Sequence, residues 1–325
     1  MILALRALGV GDLATAVPAL RALRAAHPDQ ELVLTAPAWL APLVRLVGGV
    51  DRLLPAAGLD PLDRPDPPPE LAVNLHGRGP QSHRLLAATR PRRLLAFANP
   101  DAGHTDGPQW RPDEHEVDRW CRLLAWYGIP ADRTDLALRR PPAGRAPTGV
   151  SVVHPGSKIP AKRWPAGRFA ALARTLAGRG HRVVVTGSAD ERELAGRVAR
   201  RAGLAPDAVL AGRTDLGGLA ALVAHARVVV SGDTGVAHLA TGYGTPSVVL
   251  FGPAPPARWG PPPGRPWHRA LWAGARAGSG GPEGDWSASG GVEPHPALAA
   301  IGVEEVLAAV TEAEQAVRVA GAVTA

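Results

Sequence analysis

Polar residues that could bind an anion follow a short apolar strand in the second half of the chain. A β-branched run at 228–230 leads into S-G-D-T-G and then into a helical stretch. This order predicts a buried parallel strand, a glycine loop and a helix, with Asp233, Thr234 and Gly235 at the amino end of that helix. Backbone N–H groups gather there and the helix dipole favours negative charge, so a phosphate site is expected. His238 is expected one turn farther along, on the side of the loop.

The same residues allow a purely structural interpretation. Asp233 or Thr234 can cap the helix, and His238 can be an ordinary packed histidine.

A second polar loop contains both lysines of the chain, Lys158 and Lys162. This loop, H-P-G-S-K-I-P-A-K-R-W-P at 154–165, also offers Ser157 and Arg163 and leads into a helix. Lysine is a compact ammonium charge, so two lysines kept together in an arginine-rich chain predict contact with a diphosphate. The alternative is a solvated basic loop, which the closeness of the two lysines disfavours.

Two carboxylates come just after predicted strands. Glu191 follows the turn at Gly187, where a carboxylate can hold a ribose diol as in dinucleotide folds. A structural role explains Glu191 equally well, because a carboxylate in the first turn of a helix interacts favourably with the helix dipole. Asp12 follows the turn Gly9–Gly11, which lacks the third glycine of a dinucleotide fingerprint. Asp12 is expected as the N-cap of the next helix, and its position also directs a carboxylate toward a ligand.

Strand and helix patterns alternate in both halves of the chain, which predicts an α/β protein with two doubly wound parallel sheets. Strands are expected at 2–7, 31–35, 51–55, 71–75, 93–97, 150–154, 181–186, 208–210, 228–230 and 247–251. Helices are expected at 13–27, 38–48, 81–89, 113–127, 165–179, 190–202, 215–225, 236–241 and 303–319. The Pro-rich segment 139–149 predicts a linker between domains 1–145 and 146–325.

Two such halves predict a central cleft between facing sheets, with ligands at the carboxyl ends of the strands. Three of the four polar loops lie in the second half, which is therefore expected to hold the larger part of a charged ligand. Residues 253–297 are rich in Gly and Pro and predict loops, ordered near 253–260 and mobile near 274–292. For the final helix, expected at 303–319, packing against the first domain is one of the arrangements left open.

Composition restricts the class of protein. The 325 residues suffice for two cores, and neither a membrane-spanning run nor a signal peptide is expected. Cys121 is the single cysteine, which argues against a disulfide framework or a thiolate metal site and fits a reducing cytoplasm. The net charge of +7 favours anionic partners, although the motifs of common nucleic-acid-binding domains are absent from the sequence.

Together these motifs resemble those of glycosyltransferase family 9, the heptosyltransferase-like group with a GT-B fold. The most specific are S-G-D-T-G-V-A-H-L-A at 231–240 and H-P-G-S…K-R-W-P at 154–165. R-A-L-G-V-G-D-L at 6–13, the H-x-V-x-R segment starting at His115 and F-G-P at 251–253 agree in order and spacing. The resemblance therefore covers most of the chain.

The resemblance implies two Rossmann-like domains, an acceptor-side domain at the N-terminus and a nucleotide-sugar (donor) domain at the C-terminus. It implies inverting transfer of a sugar, heptose or similar, from a nucleotide-diphosphate sugar to a hydroxyl of a cell-envelope glycan or glycolipid, as in lipopolysaccharide synthesis. Asp12 would be the general base. The donor would be bound by Ser157, Lys158, Lys162, Glu191, Asp233, Thr234, Gly235 and His238.

No tightly bound cofactor or metal is expected, because Lys158, Lys162, Arg163 and the helix amino ends can carry the diphosphate charge and no acidic pair has metal-ligand spacing. The expected location is the cytoplasm, with a peripheral contact to the inner membrane face allowed. Two alternatives stay open: a GT-B nucleotide-sugar epimerase and a non-catalytic nucleotide-sugar-binding protein. The charge also permits a nucleic-acid binder, but no nucleic-acid partner is expected. Residues 274–300 depart from many relatives, which leaves the sugar and the acceptor open.

Overall fold

The computed structural model describes residues 1–274 and 294–323 and divides into two compact units, Met1–Arg139 and Arg140–Ala325. Each unit contains one five-stranded sheet, and the paired strands are parallel. The prediction of two parallel-sheet α/β domains is therefore confirmed. The division falls six residues before the expected boundary at 145 and lies within the Pro-rich segment.

Unit 1 alternates strands with helices. Its elements are β1 Ile2–Leu5, α1 Val10–Thr15, α2 Val17–Ala26, β2 Leu32–Ala36, α3 Ala41–Val47, β3 Arg52–Pro55, β4 Leu71–Asn74, α4 Gln81–Ala87, β5 Arg93–Leu95 and α5 Glu116–Trp126. The strand order is β3-β2-β1-β4-β5. β1, β2 and β4 are fully buried, as strands covered by helices on both faces must be, whereas the edge strand β3 is largely exposed. The topological switch point lies between β1 and β4, because the chain crosses the sheet there.

Unit 2 repeats this architecture. Its elements are β6 Ser151–His154, α6 Ala166–Gly178, β7 Val183–Val185, α7 Arg192–Ala202, α8 Leu216–Ala224, β8 Val228–Gly232, α9 Gly235–Tyr243, β9 Ser247–Phe251, α10 Pro256–Trp259, β10 His268–Trp272, α11 Pro296–Ala299 and α12 Val303–Val323. The strand order is β10-β9-β8-β6-β7. α12 packs against α6 and the neighbouring strands β8, β9 and β10, and contributes Val306, Leu307 and Val310 to the core of this unit.

Three elements differ from the sequence expectations. The helix expected at 13–27 is divided at Ala16 into α1 and α2, because Pro18 lacks an N–H and is accommodated only in the first turn of a new helix. The strand expected at 208–210 is reduced to a single bridge between Val209 and Val185. β10 lies in a region expected to be loop, and the segment expected to be mobile falls largely outside the described residues.

Candidate functional site

The first candidate site lies at the carboxyl edge of the unit 2 sheet. β8, β6 and β7 lie side by side in that order, and the chain passes from β6 to β7 on one side before it returns to β8 on the other. β6 and β8 therefore flank the switch point, where ligands bind in doubly wound folds. The loops after these three strands, together with the first turns of α9, carry the residues that the sequence predicts for the donor.

The amino end of α9 lies at this edge and is not capped by a side chain. Thr234 occupies the N-cap position in an extended conformation (φ −144°, ψ 171°), but its hydroxyl makes no capping bond. In the part of the chain that the structure describes, Thr234 Oγ1 and Ser231 Oγ are buried without a hydrogen-bond partner. Leaving such a group unsatisfied costs about 1–3 kcal/mol. Two buried hydroxyls and a helix amino terminus together fit a phosphate group.

Lys162 pairs with Asp233 beside this helix terminus. Lys162 Nζ lies 2.9 Å from Asp233 Oδ2, and the two side chains are 24% and 8% exposed. The two loops approach closely at Gly232, because a Cβ there would lie 3.0 Å from the backbone oxygen of Lys162. The ion pair therefore fixes an ammonium group next to the end of a helix that attracts anions.

Glu191 links the first two loops of this edge. It is the N-cap residue of α7, and its Oε2 accepts a hydrogen bond from the Ser188 N–H at 2.8 Å. Its carboxylate lies over Gly156, where an added Cβ would come within 2.2 Å of Glu191 Cδ. A partly exposed carboxylate fixed at such a turn can bind a ribose diol, and it also suits the positive end of α7.

His154, at the end of β6, lies beneath these loops. It is buried, and its Nδ1 lies 3.0 Å from Thr186 Oγ1. Burial lowers the pKa of His154, while the nearby charge of Glu191 acts in the opposite direction. His154 is therefore neutral at pH 7 and contributes hydrogen bonding rather than charge.

The remaining residues predicted for the donor lie in different surroundings. Ser157 is buried, and its hydroxyl accepts the Ile159 N–H at 3.2 Å, which shapes the loop. The His238 ring lies edge-on to Trp259, with 5.9 Å between ring centroids. Lys158 is exposed. The two lysines of the loop therefore differ: one is held in an ion pair and the other extends into solvent.

The second candidate site lies at the carboxyl edge of the unit 1 sheet and contains Asp12. The expectation that Asp12 is the N-cap of the first helix is wrong, because Gly9 is the N-cap and Asp12 is the third helical residue. Asp12 Oδ2 reaches back to accept the Gly9 N–H at 3.0 Å, as the acidic residue of a capping box does. The Asp12 side chain is 29% exposed, so its carboxylate is accessible to a ligand.

A buried ion network lies next to Asp12, and the sequence analysis did not predict it. Arg6 follows β1 directly, is almost fully buried, and donates to the backbone oxygen of Asp12 and to Glu116 Oε1, both at 2.9 Å. Glu116 also pairs with Arg119. The available signals were an arginine directly after an apolar strand and an acidic residue directly after His115. Neither residue type is buried without a partner, so both required one.

His76 follows β4 at the same edge. Burial is the main cause that lowers the pKa of His76; the charge of Arg6 adds to the effect and that of Asp12 opposes it. The imidazole is therefore neutral at pH 7 and within electrostatic reach of both residues. Its Nδ1 is buried and has no hydrogen-bond partner among the described residues. A neutral imidazole can donate to or accept from a hydroxyl, so His76 adds to the polar groups of this edge.

Some kinds of site are not found among the residues described. Within 1–274 and 294–323, no group of three or more His, Cys, Asp or Glu side chains could hold a metal ion. In the same ranges, no helix is both long enough and apolar enough to cross a membrane. Burial raises the pKa of Cys121 to about 12, so its thiol is protonated at neutral pH.

Comparison with known proteins identifies the family of the chain. The family model "Glycosyltransferase family 9 (heptosyltransferase)" matches residues 108–273, which are 166 of the 325 residues. Lipopolysaccharide heptosyltransferase 1 of Pseudomonas aeruginosa is 39% identical over 149 residues. That alignment covers 44% of this chain and 41% of the relative, so the chain spans less than half the length of this curated relative.

Solved structures resemble the chain over nearly its whole length. Escherichia coli ADP-heptose lipopolysaccharide heptosyltransferase II has a TM-score of 0.74 at 22% identity and covers 97% of this chain and 98% of that chain. An E. coli heptosyltransferase solved with ADP has a TM-score of 0.68 at 18% identity, covering 97% and 98%. Such likenesses establish the fold. Because the family model also matches more than half of the sequence, the chain belongs to glycosyltransferase family 9, the heptosyltransferase family, and has its GT-B fold.

Proposed function

We propose that the chain is an inverting glycosyltransferase that moves a sugar, heptose or similar, from a nucleotide-diphosphate sugar to an acceptor hydroxyl. Family membership supports the reaction class. The observation that carries the proposal is the Lys162–Asp233 pair beside the uncapped amino end of α9, with Glu191 on the neighbouring loop. These groups match the parts of a nucleoside diphosphate: a cation and helix N–H groups for the phosphates and a carboxylate for the ribose.

The donor diphosphate is the leaving group of this reaction. As the bond between the anomeric carbon and the phosphate oxygen breaks, negative charge collects on the diphosphate. Lys162 and the first turn of α9 stabilise that charge, and the hydroxyl of Thr234 gains a hydrogen-bond acceptor. This arrangement supports transfer without a tightly bound metal or other cofactor, since a side-chain cation carries the charge.

Asp12 is the proposed base. The acceptor oxygen forms the new bond to the anomeric carbon from the face opposite the leaving group, so the configuration inverts. The hydroxyl proton passes to the Asp12 carboxylate, and the nucleoside diphosphate leaves with the bonding electron pair. Partial exposure and a carboxylate oriented by the Gly9 N–H support this role. General-base catalysis of this kind typically contributes about 10²–10⁴-fold.

The substrate class is proposed from the relatives. One solved neighbour is an ADP-heptose lipopolysaccharide heptosyltransferase and another was solved with ADP. We therefore propose ADP-heptose or a similar donor, and a cell-envelope glycan or glycolipid of the lipopolysaccharide type as acceptor. Reaction at the cytoplasmic side, with peripheral contact to the inner membrane face, is part of the proposal. Nucleic acid is not a proposed partner.

The test uses ADP as a probe of binding and ADP-heptose as a probe of turnover. ADP at a hundred times its Kd should stabilise the protein by about 2.7 kcal/mol, which a thermal-shift experiment detects. ADP-heptose with a deacylated lipopolysaccharide core should then give a glycosylated product with the inverted anomeric configuration. A changed sugar formed from donor alone would indicate an epimerase, and binding without turnover would indicate a non-catalytic protein. Absence of ADP binding would contradict the proposed donor site.

A further inference from the structure

The guanidinium of Arg6 joins four elements of unit 1 around the turn that carries Asp12. Its Nε donates to the backbone oxygen of Asp12 at 2.9 Å, and its Nη1 donates to the backbone oxygen of Leu75 after β4. Its Nη2 donates to Glu116 Oε1 at 2.9 Å, and the cation lies 4.6 Å from the centre of the Trp120 ring. One side chain therefore connects β1, α1, the end of β4 and α5.

Glu116 determines where this guanidinium lies. It is buried, accepts a hydrogen bond from Trp120 Nε1 at 3.1 Å, and pairs with Arg119. Arg119 in turn donates to three backbone oxygens in the segment 111–114, at 2.9–3.1 Å. Charges buried to this degree are tolerated only when they are paired and hydrogen-bonded. With Asp12 included, the network has two arginines and two carboxylates and is balanced in charge.

Asp12 is the member of the network that reaches solvent. Its side chain is 29% exposed, whereas those of Arg6, Glu116 and Arg119 are 0%, 7% and 5% exposed. Asp12 Oδ1 lies 3.4 Å from Arg6 Nη2, which is longer than a normal charge-assisted hydrogen bond of about 2.7–2.9 Å. Arg6 therefore holds the backbone of the turn more closely than it holds the carboxylate. The turn is fixed, and the Asp12 carboxylate stays partly exposed to solvent.

We propose that Arg6 is a positioning residue for Asp12 and that Glu116 keeps the Arg6 guanidinium in place. This inference rests on the proposed function, in which Asp12 accepts the proton of the acceptor hydroxyl. Arg6 acts through the turn at residues 9–12 and not on the substrate. Its effect on rate is large because a displacement of about 1 Å at a reacting group can cost roughly 10²-fold.

The test is a double-mutant cycle between Arg6→Lys and Asp12→Asn, with single-turnover transfer from ADP-heptose to deacylated lipopolysaccharide core as the readout. Lysine keeps the charge but lacks the planar fork that binds two oxygens at once. Arg6→Lys should lower the transfer rate by about 10²-fold in the wild-type background. It should leave the calorimetric Kd of ADP unchanged and should cause no further loss in the Asp12→Asn background.

The matched control is Arg122→Lys. Arg122 lies on α5, the helix that also carries Glu116, and it pairs with Glu114 rather than with Asp12. The transfer rate of this control variant should stay within about twofold of wild type. A merely structural role for Arg6 predicts a lower Tm and equal losses of rate in both Asp12 backgrounds. That additive result, or an unchanged rate in Arg6→Lys, would overturn the proposal.

Glu116→Gln provides a second measurement if Arg6→Lys does not fold. Glutamine keeps the shape of the side chain and an acceptor for Trp120 but weakens its hold on the guanidinium. As with Arg6→Lys, the transfer rate should fall in the wild-type background and should not fall further in the Asp12→Asn background.

Failure of the proposed function would give a different result: no transfer by the wild type, or full activity of Asp12→Asn. A slow Asp12→Asn beside a fast Arg6→Lys and a fast Glu116→Gln would overturn the positioning role alone.

Discussion

Replacing Lys162 with alanine should weaken donor binding and fold stability for two separable reasons. The ammonium group is held beside the amino end of α9 by the 2.9 Å bond to Asp233. A hydrogen bond to a charged group contributes about 1.5–3 kcal/mol. At about 1.4 kcal/mol for each tenfold change, the Kd of ADP should rise roughly 10- to 150-fold.

The stability effect comes from the carboxylate that is left behind. Asp233 is nearly buried, and Lys162→Ala removes the cation that pairs with it. Breaking a fully buried pair costs about 3–5 kcal/mol, but Lys162 is about a quarter exposed and water screens part of the interaction. A loss of about 1–3 kcal/mol is therefore expected. The double variant Lys162→Ala, Asp233→Asn removes the stranded charge, so it should recover stability without recovering ADP affinity.

Isothermal titration with ADP and thermal unfolding of the same samples separate the two effects. Lys158→Ala is the matched control, because it removes the same charge from the same loop at an exposed position. An exposed charge contributes about 0.2–1 kcal/mol, so its ADP affinity should change by less than about fivefold. Unchanged ADP affinity in Lys162→Ala, or an equal loss in both variants, would refute the assignment of Lys162 to the diphosphate.

Three further perturbations address other parts of the account. Glu191→Ala should raise the Kd of ADP by about tenfold and leave that of inorganic diphosphate unchanged, because the carboxylate is assigned to the ribose; equal losses in both titrations would make Glu191 structural. Transfer activity should survive exhaustive chelation, since Lys162 and the α9 terminus carry the leaving-group charge; complete loss that one divalent ion restores would contradict this. Burial lowers the pKa of His268 to about 4, so the unfolded state binds its proton first and stability falls as the pH drops from 6.5 toward 4. The loss should reach roughly 3 kcal/mol, and denaturant titrations should show a flatter pH dependence in His268→Gln; parallel curves would disprove the effect.

The buried strands and the loops that follow them were predictable because their signals are local. Val228–Val230 is a continuous apolar run, and 150–153 is apolar except for Ser151, as is typical of strands buried on both faces. Parallel strands bring their carboxyl ends to one edge, so loops far apart in sequence come together without any contact being known. This is why Lys162 and Asp233, 71 residues apart, could be assigned to one site.

The ion network of unit 1 was not predictable in the same way. Arg6 and Glu116 are 110 residues apart, and their pairing depends on which face of α5 turns toward β1. Periodicity orients apolar residues and does not pair charges, so Arg6 was expected only as part of the strand 2–7 and Glu116 only as part of the helix 113–127, without a contact between them. The position of Asp12 in α1 was misjudged because Asp is common at an N-cap, whereas here a glycine takes that place and Asp12 reaches back to it.

β10 was missed because it is an edge strand with a weak pattern. Its five residues are buried only in part, and Pro-rich segments precede it. The segment forms a strand because it pairs with β9, although its own composition does not favour a strand. Strands of this kind are determined by their neighbours more than by their own residues.

The measurement that tests the central claim most directly is the rate of sugar transfer by Asp12→Asn. Asparagine keeps an oxygen that can accept the Gly9 N–H, so the turn is preserved while the base is removed. The proposed mechanism predicts a Tm that falls only slightly, because the Arg6–Asp12 pair is long and partly exposed, an unchanged Kd for ADP and a transfer rate about 10²–10⁴-fold below wild type. A variant that transfers heptose from ADP-heptose at nearly the wild-type rate would contradict it and remove Asp12 from the mechanism.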